Sequence, residues 1–568
     1  MANSQKFMDT QTQKRFKIWQ WRTIFATMIG YALFYFVRKN FSFAMPGMAA
    51  EYGISNTSFG VLMTIVGIVY GFSRFFNGVI ADRMNGRYHM SIGLFACALV
   101  SLAFGFAPML LGVEIGVAPH ILIVAFAVLL VLNNIFQGSG FPPCARLLTH
   151  WIPPQELATK MSIWNTSHSI GASLLAILCG FIMGTMGTNV SNDAAAIDKI
   201  TYNYVSTAFK DDIKKSDIHI AKVNSVKVEK DEDGYLVYGV YTYKSNFEEG
   251  RRDTTVYDFS RKNYLAVERA AATHIGASTE ELAELTELPV VQVKASQSIA
   301  SRASHTGAWQ WAFWIPGLLA LVGAVGLFAL LRDTPKSVGL PELEMAKTSI
   351  DDDENTDPAV RRAFVQKMVY KNPIIWALAM ANFFVYVVRF SVLDWGPKFL
   401  TEACDMPYTS AGAAVAVFEI LGIIGMLVAG WVTDKVFGGR AHRTCLWCMV
   451  GAAICMAGFY YFYLTPAVEP DTLLIGVLAM AGFFIYGPQA LIGIAAANQA
   501  TKKAAATANG LVGIFGYLST AVSGLGVGWL ADNYGWSYVF MGVIAMAVVG
   551  GVVFLAMWGA KRDGYDKA

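Results

Sequence analysis

Charge is what this chain has least of. Only 15% of its 568 residues are Asp, Glu, Lys or Arg, against 55% hydrophobic. That balance is far from the composition of a soluble enzyme of this size. A nucleophile–base pair, a metal-ligand cluster and a phosphate-cradling glycine loop are all missing, so no enzyme chemistry, metal or cofactor is expected. Cysteine is scarce too. There are seven, an odd number, and Cys445-x-x-Cys448 opens an apolar segment, where small hydrophobic residues in a packed helix are the expected use. The N-terminal stretch Met1–Lys17 has no short apolar core and no small-residue cleavage site, so it reads as a polar, basic cytoplasmic tail. The net charge of +3 gives no sign of a nucleic-acid partner.

Long apolar runs take the place of charge. Twelve can be drawn, at about 22–47, 59–81, 89–112, 120–145, 158–186, 308–331, 374–399, 410–433, 444–464, 471–498, 507–530 and 535–558. Each is long enough to span a bilayer. Basic residues fall in the N-terminal stretch and in alternate loops (Arg83 and Arg87; Lys160; Arg361, Arg362 and Lys367; Arg440 and Arg443; Lys502 and Lys503), then at Lys561 and Arg562. The intervening short loops carry Glu51, Glu114, Glu469 and Asp471, with Lys398 as an exception. The asymmetry predicts an even number of spans with both termini in the cytoplasm.

The stretch Tyr31–Pro46, YALFYFVRKNFSFAMP, breaks the apolar rule in the middle of the first run, at Arg38 and Lys39. A guanidinium near the bilayer centre costs at least a few kcal/mol by insertion scales, so a function is its default explanation. Tyr31, Tyr35 and Arg38 are spaced i, i+4, i+7 on one helical face, a polar wall with donors for an oxyanion. The spacing returns at Asn382, Tyr386 and Arg389, and Pro397 follows Arg389 as Pro46 follows Arg38. Each copy is followed by a span ending in a charged turn, GVIADRMNGR at Gly78–Arg87 and GWVTDKVFGGR at Gly430–Arg440. Two copies imply a duplicated half, and in duplicated transporters the substrate lies near the midplane, where the halves meet. The expectation is that Arg38 and Arg389 face one another across a cavity and clamp one anion.

Two polar stretches divide the chain further. The predicted organisation is a first half over 1–187, an inserted extracytoplasmic domain over 188–306, a sixth span over 307–332, a cytoplasmic linker over 333–372 and a second half over 373–568. The linker contains IDDDENTD and reads as partly disordered or carrying short helices. In the insertion, Val226–Lys244 alternates around Asp233-Gly234, a hairpin signal. Lys262–Thr273 and Glu280–Leu288 read as helices, the second behind a Ser278-x-x-Glu281 capping box. A small α+β domain without chemistry of its own is expected there, with an unidentified extracytoplasmic partner. The fold class is therefore an all-α membrane protein of twelve transmembrane helices in two pseudo-symmetric six-helix halves, plus that insertion.

These residues carry a resemblance. YFVRKNF at 35–41, YGFSRF at 70–75, GFPPCARLLTHW at 140–151 and WNTSHSIG at 164–171 are similar to the organophosphate:phosphate antiporters of the major facilitator superfamily. So are RDTPKSVGLP at 332–341, YVVRFSVLDWGP at 386–397, FIYGPQALIG at 484–493 and KKAAATANGLVGIFGYL at 502–518. The likeness covers all twelve runs and leaves out the insertion. It implies that Arg38 and Arg389 bind phosphate and that His168 is the binding histidine. Arg74 stands where the family has a lysine, which exchanges a compact ammonium for a planar fork. Tyr31, Tyr35, Tyr70, Tyr386, Tyr486 and Tyr517 would shape the cavity, with Trp164 at i−4 from His168.

The resemblance implies a secondary transporter of a bacterial inner membrane, exchanging an organic phosphate for inorganic phosphate. Glycerol-3-phosphate is favoured by the Trp164-Asn165-x-x-His168 arrangement and the tyrosine wall, with hexose 6-phosphate close behind. A membrane sensor of sugar phosphates, with little or no flux, is the alternative. Lys39, Asp394 and Glu419 are candidates for partner exchange between conformations. Asp82, Arg83 and Arg87, with Asp434, Lys435 and Arg440, match the superfamily's cytoplasmic loops and imply a charge-paired latch, made in one state and broken in the other, rather than a binding site.

Overall fold

A computed structural model describes residues 10–113, 120–189, 220–231, 234–243, 255–256, 266–267, 291–295, 305–342, 358–404, 406–464 and 471–564. The first half contains α1 (Thr10–Tyr52), α2 (Asn56–Arg83), α3 (Gly86–Leu111), α4 (His120–Gln137), α5 (Phe141–Trp151), α6 (Pro154–Asn165), α7 (Ser167–Thr185) and α8 (Ala308–Leu330). The short α9 (Pro358–Val365) precedes the second half. That half contains α10 (Pro373–Glu402), α11 (Tyr408–Lys435), α12 (Ala441–Leu464), α13 (Asp471–Thr520), α14 (Val527–Tyr534) and α15 (Trp536–Ala556).

Helix ends fall where the sequence supplies caps. Ser55 accepts from the Ser58 nitrogen at the start of α2, and Asn85 accepts from Arg87 at the start of α3. Asn372 does the same for α10, where Pro373 occupies the first turn and needs no hydrogen-bond partner. The α13 helix breaks at Thr501, dividing it between two spans.

Among the described residues, eleven stretches are long and apolar enough to cross a membrane. Two of the expected runs are jointed rather than straight. The fourth is α4 and α5 around a break at 138–140, and the fifth is α6 and α7 meeting at Thr166. The first run lies in the 43-residue α1, outside those eleven, because Arg38 and Lys39 interrupt it.

The halves meet along three seams, α1 on α10, α7 on α11, and α2 on α14 and the π-turn Ala521–Gly526 before it. Small residues allow the approach. A Cβ on Gly412 would lie 2.4 Å from the Ala176 carbonyl oxygen, and one on Gly60 would lie 2.5 Å from that of Gly524. The cross-seam bonds cluster toward the insertion. Asp532 takes the Asn56 nitrogen at 3.2 Å and the Thr57 nitrogen at 2.7 Å, and Thr64 Oγ1 donates to the Thr520 carbonyl at 3.1 Å.

Between α7 and α8, β1 (Thr188–Asn189) pairs antiparallel with β7 (His305–Thr306). Glu51, near the end of α1, fastens it. Its carboxylate accepts from the Gly307 nitrogen at 2.5 Å and from Trp309 Nε1 at 2.8 Å. Burial pushes this carboxyl up to about 7, against the opposing pull of those two donors. Inside the insertion, β2 (Ile220–Asp231) pairs with β3 (Gly234–Tyr243), and β3 with β6 (Val291–Ala295). The helix expected over Lys262–Thr273 is not what its described residues form. Ala266–Val267 (β5) pairs antiparallel with Thr255–Val256 (β4), and the stiff, branched Val267 suits a strand. The helix expected at Glu280–Leu288 and the capping box before it lie outside the described residues, as does IDDDENTD of the linker.

Candidate functional site

The site is built around the middle of α1. A helix backbone normally satisfies itself, yet the amide side chains of α4 reach across to α1 carbonyls on either side of this level. Asn133 Nδ2 donates to the Val37 oxygen at 2.7 Å, and Gln137 Nε2 to that of Phe34 at 3.0 Å. On the far side, Asn40 Nδ2 donates to the Ala312 oxygen of α8 at 3.2 Å. These bonds fix the rotation and depth of α1, and so the direction in which Arg38 leaves it. Sequence reasoning missed all three residues. The signal was Asn133-Asn134-x-x-Gln137, a set of amides inside an apolar run.

Arg38 lies over aromatic faces. Its Cζ is 3.7 Å from the Tyr70 ring centroid and 5.6 Å from that of Tyr35. Arg74, one turn further along α2 from Tyr70, donates to the Tyr517 hydroxyl at 3.0 Å and sits 4.5 Å from the Phe141 ring. Tyr70 and Tyr517 meet edge to face at 5.5 Å. Among the described residues, neither Arg38 nor Arg74 has a carboxylate partner. Trp164 stacks on Tyr31 at 5.0 Å, Tyr31 meets Tyr35 at 5.6 Å, and Tyr35 lies 5.9 Å from the His168 ring.

The second half contributes Arg389, buried to 5% exposure. Its Nη2 donates to the Tyr486 hydroxyl at 3.0 Å and lies 3.9 Å from Glu419 Oε1. Tyr35 and His168 are within electrostatic reach of both Arg38 and Arg389. The contact with Glu419 is a long ion pair, and among the described residues Arg389 Nε is left buried without a hydrogen-bond partner. His168 Nε2 and Trp164 Nε1 are in the same condition. Buried polar atoms in that state are costly and call for an explanation, of which an absent ligand is one. Asn382, first residue of the second i, i+4, i+7 set, turns away and donates to the Val512 oxygen at 2.9 Å. Tyr386 packs edge to face on Phe390 at 5.3 Å.

A cavity of about 60 Å³ adjoins this group on the insertion side, lined by Arg38, Lys39, Asp394, Tyr517 and Thr520 among others, and Arg389 is not among its lining residues. Lys39 and Asp394 form a salt bridge across it, joining α1 of one half to α10 of the other. The acids thus separate as the sequence allowed: Asp394 to Lys39 and Glu419 to Arg389.

Among the described residues, the expected latch side chains are not ion-paired in this conformation. Arg87 donates to the Phe328 carbonyl at 2.6 Å rather than to an acid. Arg83, Asp434, Lys435 and Arg440 form no ion pair among the described residues, and the Asp82 side chain lies outside them. The charged link found near these turns is another one. Arg146 bridges to Asp333 at 3.3 Å, and Asp333 accepts from the Gly86 nitrogen at 2.7 Å, tying α5 and the exit of α8 to the start of α3.

Residues 27–192 and 296–524 match the Major Facilitator Superfamily. A probable hexose phosphate transport protein of Chlamydia pneumoniae is 29% identical, over 97% of this chain and 93% of its own. The membrane sensor protein UhpC of Escherichia coli is 28% identical, over 96% and 94%. A glycerol-3-phosphate transporter of Haemophilus influenzae is 28% identical, over 96% and 93%. Among solved structures, a bacterial homologue of the human lysosomal transporter Spinster, in an inward-facing and unoccupied conformation, superposes with a TM-score of 0.60. It has 12% identity and covers 95% of this chain and 96% of that one, a likeness of fold alone.

Proposed function

The chain belongs to the Major Facilitator Superfamily, and from that premise we propose that it exchanges a phosphate monoester for inorganic phosphate by alternating access. The reading takes α1 as a twelfth span and residues 188–306 as an extracytoplasmic unit, with both termini in the cytoplasm. The relatives named for hexose phosphate and glycerol-3-phosphate transport support the cargo class.

One observation carries the proposal: among the described residues, neither Arg38 nor Arg74 has a carboxylate partner, and Arg389 Nε is buried without a hydrogen-bond partner. A phosphate monoester brings about −1.5 to −2 charges at pH 7, which roughly neutralises two guanidiniums. Bonds between guanidinium and phosphate are of the strong, charge-assisted kind. Arg38, from the first half, and Arg389, from the second, hold the phosphate. Trp164 Nε1 donates to the cargo, His168 Nε2, whose ring turns Nδ1 to the Asn165 carbonyl, accepts from a hydroxyl of the organic part, and Arg74 with Tyr31, Tyr70 and Tyr517 forms the wall against that part.

Exchange follows from the same charges. Closing an empty site buries like charges without a partner, which is strongly unfavourable. Either phosphate or its ester must therefore be aboard when the halves rock. The Lys39–Asp394 bridge and the Glu419 contact to Arg389 are remade as the seams open and close.

Counterflow into proteoliposomes loaded with inorganic phosphate, run over a panel of phosphate esters, is the test. Uptake should depend on internal phosphate, and Arg38→Ala or Arg389→Ala should abolish it while the protein still inserts. Ester uptake into phosphate-free vesicles at the same rate would overturn exchange. Binding of sugar phosphate without flux would establish the sensor reading, which the likeness to UhpC supports.

A further inference from the structure

Away from the cavity, at the end of the first half that carries the termini, α8 runs out at Leu330 and three arginines from three segments converge on its last carbonyls. Arg87 Nε donates to the Phe328 oxygen at 2.6 Å. Arg22 donates through Nη2 to Ala329 at 3.3 Å and through Nε to Leu330 at 3.1 Å. Arg332 Nη1 donates to the same Ala329 oxygen at 3.0 Å and to Leu331 at 2.6 Å. Two guanidiniums thus share one oxygen. Aromatic rings back the cluster, with Trp19 at 4.3 Å from Arg22 and 5.9 Å from Arg332, and Phe328 at 4.2 Å from Arg87.

Capping alone does not account for this much charge. A helix C-terminus carries the equivalent of only about half a negative charge. Asp333, next in the chain, is already engaged by Arg146 and the Gly86 nitrogen. Among the described residues, no carboxylate pairs with Arg22, Arg87 or Arg332. The crowding acts on Arg332, which desolvation first, and then the charges of Arg87 and Arg22, push below its ordinary value.

The cluster also stands at the head of an apolar surface. The α3 and α8 helices pack on one another, and the Tyr88 and Phe328 rings meet at 5.6 Å just beside Arg87. From there, exposed side chains continue along α3 as Ile92 and Phe95 and along α8 as Val325 and Val322. In a membrane protein such stripes face acyl chains. Basic side chains at the edge of a span, flanked by Trp and Tyr, are placed at headgroup depth.

We propose that Arg22, Arg87 and Arg332 bind the headgroup phosphate of an anionic phospholipid, whose acyl chains lie along the exposed stripes of α3 and α8. Charge complementarity selects a lipid with net negative charge, and the continuous apolar surface selects a lipid over a free anion. The site is independent of the transport reading, since it lies outside the cavity.

The full-length protein, delipidated in neutral detergent, is titrated with phosphatidylglycerol or phosphatidylcholine, and bound lipid is read by native mass spectrometry. Wild type should retain phosphatidylglycerol preferentially. An Arg22→Gln/Arg332→Gln variant should lose that preference by on the order of tenfold or more, at about 1 kcal/mol for each basic residue near a membrane surface. Arg22→Lys/Arg332→Lys keeps the charge and should keep most of the binding, which separates a charge requirement from loss of the helix cap. Equal retention of the two lipids by wild type, or an unchanged preference in the Gln variant, would overturn the proposal. Displacement of the lipid by millimolar inorganic phosphate would reassign the cluster to a free anion and overturn it as well.

Discussion

Asp532, at the end of α14, caps a helix of the opposite half at Thr57. Its Oδ2 accepts from the Thr57 nitrogen at 2.7 Å and from Oγ1 at 2.6 Å, on the first turn of α2. A carboxylate at a helix N-terminus meets unsatisfied N–H groups and the positive end of the dipole. The bond therefore holds the two halves together on the insertion side. In Asp532→Ala, a cysteine introduced as Val66→Cys beside the cavity should become more reactive to an impermeant maleimide added on that side. The increase should be about tenfold, as charge-assisted bonds worth about 1.5 kcal/mol imply. Asp532→Asn keeps an acceptor and should fall between. Unchanged labelling would remove Asp532 from the seam.

The close approach of Gly412 to Ala176 gives a second prediction for the same seam. A methyl group at Gly412 would meet the Ala176 carbonyl oxygen at 2.4 Å, a backbone atom with nowhere to go. Gly412→Ala should therefore resist closure of the insertion side. Exchange should slow markedly while the amount of folded protein in the membrane stays near that of wild type. Normal exchange kinetics would show that the α7–α11 seam yields more readily than the packing implies.

Lys39 and Asp394 form a cross-half salt bridge at 18% and 17% exposure. Removing one partner leaves a largely buried charge unpaired, at a cost of about 3–5 kcal/mol, whereas replacing both with apolar groups of similar size is often tolerated. Lys39→Met and Asp394→Leu should each lower the thermal midpoint in detergent, and the double variant should recover it. Transport should stay impaired in the double variant, since the proposed mechanism has the pair change partners. Equal destabilisation by the single and double variants would refute the coupling.

Arg74 reaches the Tyr517 hydroxyl with one arm of a planar fork. Arg74→Lys keeps the charge and loses the fork, so flux should persist while the ranking of esters in the counterflow panel changes. An identical ranking would place Arg74 outside the recognition of the organic part.

Glu51 predicts a pH effect at the junction of β7 and α8. Its carboxyl is raised by burial to about 7, and in the unfolded chain it titrates at about 4.3. Between those values the folded state holds more protons, so this group's contribution to stability is largest below about pH 4 and is lost as pH rises toward 7. The thermal midpoint of wild type, compared with Glu51→Gln, should fall across that window and run parallel above it. A difference between the two proteins that does not change with pH would refute this.

Much of the candidate site was legible because helix periodicity is local. The i, i+4, i+7 set around Arg38 needed only the spacing of residues on one helix. What each cation does depends on distant residues. Lys39 lies 355 positions from Asp394, and its pairing is set by how α1 rotates against α10. The lone pairing of Ala266–Val267 shows the same limit in reverse, since two residues take their strand from a partner outside their own periodicity.

The sequence by itself determined most of the apolar runs and the shared helical face of Tyr31, Tyr35 and Arg38, because bilayer length and helical spacing are written residue by residue. Only the tertiary structure decided that Asp394 answers Lys39, that Glu419 stands beside Arg389, and that Arg87 caps α8. The physical reason is that hydrogen bonds and ion pairs reach only a few ångströms. Their partners are chosen by the rotation and offset of whole packed helices, a property of the assembly rather than of any one segment.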